Sequence, residues 1–342
     1  GVHPVGQLDL RSNVELHLEK GAVLEGAVGM ENYRLTELPY SEGVWSAVVS
    51  AIGVTNVAIT GEGEIFGNGS AWPQPGDQGG NQEGERARGL FFANCTGVRL
   101  VDFTLRDTAC WGVVFKCCDG VVARKVTIRS TLQRCCDGFD LECRHALVED
   151  CDIETHDDAI CFKNRSSDYT ACDIEVRNCR VASNSNFIKV GTETLGTIRD
   201  IRVHHCELHA TTHSFYQTPK QPWCEEYALQ PDPIGMGGIT LQMNDGGILE
   251  NVHVHDIEMA DGVSVPITVR LSERRPRGMP GRSALRNVLI ENVRGRAMIR
   301  PASSVMGTRS IRPAHIVFRN IDLEVEAGGC PSEPVPQLEL GG

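Results

Sequence analysis

One pattern of apolar and polar positions recurs along the chain: apolar, any, apolar, any, Asn or Asp, apolar, any, apolar. It reads Val98-Arg99-Leu100-Val101-Asp102-Phe103-Thr104-Leu105 and runs from Leu147 to Ile153 around Cys151. It returns as Ile174-Glu175-Val176-Arg177-Asn178-Cys179-Arg180-Val181 and Ile201-Arg202-Val203-His204-His205-Cys206-Glu207-Leu208, then over Val252 to Met259, Val288 to Val293 and Ile316 to Leu323. Its sixth position is Phe103, Val126, Cys151, Cys179, Cys206, Ile257, Val293 and Ile321. Most steps are 23 to 28 residues, and the 51-residue step from Cys206 to Ile257 is expected to span two turns.

Self-similarity at such a period marks a solenoid, and period-two alternation within each copy marks strands. No long segment has helical apolar periodicity. Short strands and Gly-rich corners fit an all-β, right-handed parallel β-helix, with turns stacked at about 4.8 Å so that equivalent residues form ladders. The repeat begins near Asn13-Val14-Glu15-Leu16 and ends at Leu323, so residues 1–342 are expected to form one elongated domain. A 41% hydrophobic content supplies its core. Leu8-Asp9-Leu10 already reads as strand, so an opening turn is expected to be missing. Stretches near 66–90, 209–237 and 272–284 break the repeat and read as loop insertions from the corners, either walls of a binding face or ordinary variable loops. Residues 326–342 read as an irregular tail.

Fourteen cysteines first suggest disulfides or metal. The repeat instead puts Cys151, Cys179 and Cys206 at one inward position, a ladder of small buried thiols. Cys117-Cys118 and Cys135-Cys136 lack zinc-site spacing. The compartment stays open, since such an interior suits reducing and oxidising histories alike. A net charge of −12 without basic patches among aromatics argues against nucleic acid. No apolar run is long enough to span a membrane.

The densest chemistry is Cys135-Cys136-Asp137-Gly138-Phe139-Asp140 followed about one repeat later by Thr155-His156-Asp157-Asp158-Ala159-Ile160. Asp137, Asp157 and Asp158 then fall at corresponding places on successive turns. Crowded carboxylates raise one another's pKa, leaving one acid able to give a proton while another activates water, as glycoside hydrolysis requires. Solvated turn acids and a calcium site are the alternatives. His156 directly precedes the acid pair and either tunes Asp157 or is structural. Trp111, one turn earlier, either stacks on a sugar or packs a corner.

These segments, with Leu10-Arg11-Ser12-Asn13-Val14-Glu15-Leu16, Lys20-Gly21-Ala22 and Ile59-Thr60-Gly61-Glu62-Gly63-Glu64-Ile65-Phe66-Gly67-Asn68-Gly69, resemble glycoside hydrolase family 28, the polygalacturonase family, over nearly the whole length. The resemblance implies a right-handed parallel β-helix, inverting hydrolysis of a polysaccharide or oligosaccharide, no cofactor or metal, and an extracellular or periplasmic setting. The family's Asn-Thr-Asp motif matches Cys135-Cys136-Asp137 in its Asp alone, and its Asp-Asp motif matches Asp157-Asp158. By that match Asp157 is the general acid, while Asp137 and Asp158 hold and deprotonate the water. The Gly-His-Gly motif falls on Ser185-Asn186-Phe187 and Arg-Ile-Lys on Thr240-Leu241-Gln242, so both cations expected to grip a galacturonate carboxylate are replaced. Lys163, Asn186, Lys189, Glu193 and Gln242 are the candidate substrate contacts. A standard polygalacturonase is therefore not expected. A β-helical lyase or epimerase, and a carbohydrate-binding β-helix without activity, are the other readings.

Overall fold

The structure is a computed structural model, described for residues 1–38, 44–73, 86–212, 235–272, 283–298 and 303–326. It is a right-handed parallel β-helix in which 25 strands share one sheet. Three columns of parallel strands run along the axis. The first passes through Ala47–Ile52, Arg88–Ala93, the start of Val113–Arg124, the start of Phe139–Glu149, Ile160–Asn164, Asn186–Thr194, Gly235–Met243 and Val263–Leu271. The second contains Thr55–Thr60, Thr96–Val101, Thr170–Arg177 and the starts of the long strands Thr197–His209, Ile248–Met259 and Ala284–Met298. The third contains Glu64–Phe66, Thr104–Arg106, Thr127–Ser130, Asp152–Thr155 and Arg180–Ser183, then the ends of those same long strands.

The Asn-or-Asp position of the repeat has a backbone cause. Asp102, Lys125, Asp150, Asn178, His205, Asp256, Asn292 and Asn320 all adopt φ between 51° and 68°, turning the chain from the second column to the third. Asn and Asp tolerate this left-handed conformation better than other side chains. They also stack: Asn178 donates to Asp150 at 3.2 Å and Asn292 to Asp256 at 3.0 Å. A second such series, including Asn56, Gly97, Gly120, Asp173, Asp200, Asn251 and Asn287, turns the first column into the second.

Beside the first series lies the inward ladder. Cys151, Cys179 and Cys206 are buried and unpaired, in line with Phe103 and Val126. Cys206 pairs directly with Ile257, and Ile257 with Val293. The 51-residue step is therefore one turn, not two, and its extra length includes residues 213–234, which lie outside the described residues.

Of the expected insertions and tail, residues 74–85, 213–234, 273–282 and 327–342 lie outside the described residues; the expected bounds were too wide, since Arg88–Ala93, Gly235–Met243 and Ala284–Met298 are already strands of the β-helix. The flanks of the first insertion pack on the corner between the third and first columns. There Gln133 donates to the carbonyls of Gly69 and Trp72 at 2.8 and 3.0 Å, and Arg86 donates to those of Ala109 and Arg134 at 2.6 and 3.0 Å.

Candidate active site

That same corner carries the acids. Successive turns lock by backbone hydrogen bonds: Gly112 N–H to Asp137 O at 2.7 Å, Gly138 N–H to Asp158 O at 2.8 Å, and Ala159 N–H to Asn186 O at 2.8 Å. Gly138 is required here, because a Cβ would lie 2.3 Å from the Ala159 carbonyl oxygen. Asp137, the Asp157-Asp158 pair and Asn186 consequently sit on three adjacent turns.

Beyond the corner, alternation in the first column sends Phe139, Leu141, Ile160 and Phe162 into the core. It sends Asp140, Glu142, Lys163 and Lys189 outward. These outward charges are nonetheless buried or nearly so, and they are paired. The Lys163 ammonium lies 2.8 Å from Asp137, 2.7 Å from Asp140 and 3.7 Å from Glu193. Lys189 lies 2.8 Å from Asp158, which also accepts from the Asn186 amide at 2.7 Å and the Ser185 hydroxyl at 3.3 Å. Lys116 pairs with Glu142 at 2.8 Å.

Burial raises Asp157, Asp158 raises it further, and together they hold its carboxyl at about 6 despite Lys189 and Lys163. Burial also raises Asp137 and Asp140, with Lys163 opposing. Burial alone would discharge Lys163, but Asp137 and Asp140 more than offset it and keep it an ammonium. Burial would likewise raise Glu193, yet Lys163 and Arg165 bring it down to about 2. The face thus combines a carboxyl that is readily protonated near neutrality with carboxylates tied to cations. That division of roles is what acid and base chemistry at one bond requires.

The expected residues are brought together with some changes of role. Trp111 is only 5% exposed, and its ring carries Lys163 at 4.0 Å and Arg165 at 4.7 Å, so it presents no open face to a sugar. His156, 4% exposed, is held neutral at about 3 by burial and by the positive charges of Arg134 and Arg86. It is buried at the corner, where its backbone N–H donates to the Ser130 carbonyl at 2.8 Å. Lys163, Lys189, Asn186 and Glu193 are in the site but engaged with its acids and cations. Thr240 pairs in register with Lys189 one turn on, and Gln242, half-buried, pairs with Arg270 on the turn beyond. Asp140, Glu142, Lys116, Arg165 and Ser185 were missed. Their signal was the outward phase of the alternation, in which Asp140 and Glu142 follow Asp137 on the strand Phe139–Glu149 that begins just after it.

The geometry has parallels among solved structures. The exopolygalacturonase of Thermotoga maritima superposes with a TM-score of 0.68 at 18% identity, over 94% of this chain and 79% of that one. The polygalacturonase of Erwinia carotovora gives 0.71 at 18% identity, over 94% and 83%. The endo-xylogalacturonan hydrolase of Aspergillus tubingensis gives 0.60 at 15% identity, over 97% and 88%. At such identities these likenesses speak for the fold. No curated protein matches the chain in sequence. The family model for glycosyl hydrolases family 28 matches residues 6–215, which include every turn that carries the acids. The chain therefore belongs to glycosyl hydrolases family 28 and is a glycosidase.

Proposed function

We propose that the protein cleaves a glycosidic bond of a polysaccharide or oligosaccharide by single displacement, with inversion at the anomeric carbon. Asp157 gives its proton to the leaving oxygen. Water attacks from the opposite face and loses its proton to Asp158 or Asp137, so a hydroxyl forms at the anomeric carbon as the glycosidic bond breaks. Inversion needs acid and base carboxyls about 6.5–9.5 Å apart, with room for water between them. The observation that carries this reading is the contrast within the adjacent pair. Asp157 is raised to about 6 and half-buried, whereas Asp158 is tied to Lys189, Asn186 and Ser185.

The substrate is proposed to present a neutral sugar, or at least no free carboxylate, to the positions of Asn186, Thr240 and Gln242. A bound uronate needs a partner for its charge, and Lys163 and Lys189 already hold site carboxylates. Several structural neighbours are named for galacturonan substrates, which makes branched or substituted pectic fragments the first class to assay. The test is Asp157→Asn on a turned-over substrate. Loss of about 10²–10⁴ in kcat, the usual worth of a general acid, is expected. Near-normal turnover would remove Asp157 from the mechanism.

A further inference from the structure

Four of the chain's 11 histidines, His204, His205, His253 and His255, cluster on two consecutive turns of the second column, away from the acidic corner. Their rings stack closely, His204 on His255 at 4.7 Å and His253 on His255 at 4.2 Å between centroids. Charged imidazoles packed this tightly would repel. Neutral imidazoles carry a free ring lone pair.

The hydrogen bonds fix where those lone pairs point. His204 Nε2 lies 3.1 Å from Glu175 and donates to it, since an ionised carboxylate only accepts. His204 Nδ1 must then accept from His205 Nδ1–H at 2.7 Å. In its neutral form His205 then carries its lone pair on Nε2, 3.9 Å from Asp256 Oδ2. The gap is too long for a hydrogen bond; it is wider by about 0.5 Å than the separation of two ligands on a tetrahedral ion with bonds of about 2.0–2.2 Å, so an ion would draw the two together. Asp256 Oδ1 is fixed by the Asn292 amide at 3.0 Å, so Oδ2 turns to the histidines. His255 Nδ1 reaches the same Oδ2 at 2.7 Å. One ligand atom from each of His205, His255 and Asp256 can be chosen with all three within 4.8 Å of one another.

We propose that His205, His255 and Asp256 form a binding site for a zinc-class divalent transition ion, with solvent as the fourth ligand. On binding, His255 gives up Nδ1–H to solvent or moves that proton to Nε2, and its Nδ1 lone pair goes to the metal. Glu175 orients His205 through His204, and Glu291 fixes the neighbouring His253 at 2.9 Å, the carboxylate–imidazole arrangement that orients metal-binding histidines. The donor set of two imidazoles and one carboxylate suits zinc, cobalt, nickel or copper, whereas calcium and magnesium favour oxygen. The role is structural. Cys206 and Ile257 pair on adjacent turns although 51 residues separate them, so a metal held by His205, His255 and Asp256 would tie together two turns that are far apart in sequence. Cross-links that close long loops give the largest entropic return.

The test is isothermal titration of the full chain, stripped with chelator, with Zn²⁺ at pH 7.5, alongside thermal melts with and without zinc. One site of micromolar or tighter affinity and a zinc-dependent rise in Tm are expected. His205→Asn and Asp256→Asn should each weaken binding at least tenfold. Both positions lie at φ 53°, where Asn is well tolerated, so both variants keep the corner, and their zinc-free Tm checks this. X-ray absorption of the zinc complex should show nitrogen ligands. Absence of binding up to millimolar zinc, equal affinity in both variants, or an all-oxygen shell would overturn the proposal.

Discussion

Lys189 ion-pairs with Asp158 at 2.8 Å across adjacent turns, so the cation nearest the proposed water-binding carboxylate is already committed. Lys163 is committed in the same way to Asp137 and Asp140. Two lysines that could have gripped an acidic sugar instead stabilise the enzyme's own acids.

The consequence for substrate is direct. With Asn186, Thr240 and Gln242 where the family's cations are expected, unsubstituted polygalacturonate should be a poor substrate. A reducing-sugar assay should find turnover well below about 10 s⁻¹, an ordinary enzyme rate, on that polymer and higher rates on neutral or branched fragments. Ordinary rates on polygalacturonate would show that a carboxylate partner exists elsewhere in the cleft.

The buried lysine is also a stability element. Lys163→Met leaves Asp137 and Asp140 without their shared cation, and should cost about 3–5 kcal/mol, the usual effect of removing one partner from a buried pair. Adding Asp140→Asn to Lys163→Met should restore part of that loss, because one stranded charge is gone. Denaturant melts of the single and double variants measure it, and strictly additive losses would contradict the ion-pair account.

Activity should depend on pH through Asp157. Its carboxyl is raised to about 6, so the proton needed by the leaving group is present below that pH and lost above it. The alkaline limb of kcat/KM should therefore fall with an apparent pKa near 6. Stability runs the same way for this group: the folded value lies above the ordinary 3.8, so its contribution is present at low pH and lost as pH rises between 3.8 and about 6. Glu193 runs oppositely. Its folded value of about 2 lies below the ordinary 4.5, so its contribution is present above 4.5 and lost as pH falls towards 2. Glu193→Gln should flatten the acid side of the stability profile, and an unchanged acid side would contradict its pairing with Lys163 and Arg165.

The corner ladder gives a pair of variants with opposite signs. Lys125 holds φ 52° with an exposed side chain, so Lys125→Gly should stabilise by up to about 1 kcal/mol. Asn178→Ala, at φ 55° and losing its bond to Asp150, should destabilise by about 1 kcal/mol or more. Thermal or denaturant melts giving the same sign for both would contradict the left-handed reading of the repeat.

The fold was legible because the repeat writes its geometry into single positions. Cys151, Cys179 and Cys206 marked one inward ladder, and the Asn-or-Asp position before it recurred as plainly, but its left-handed backbone is visible only in the structure. The count of turns between Cys206 and Ile257 was misread, since an insertion and an extra turn look alike when only spacing is available. At the site, Asp137, Asp157 and Asp158 were legible as acids on neighbouring turns. The pairing of Lys163 and Lys189 with those acids was not, because it depends on which side chains share a face and how deeply they are buried. The burial of Trp111 and His156 was not legible for the same reason: adjacency in sequence says nothing about whether a ring is open to solvent.

The account rests above all on Asp157 acting as acid against a water held by Asp158 and Asp137. Proton NMR of the sugar released in the first minutes of hydrolysis, before mutarotation, tests it most directly. The account predicts that the newly formed anomeric centre has the configuration opposite to that of the bond cleaved. First-formed product of retained configuration would contradict it.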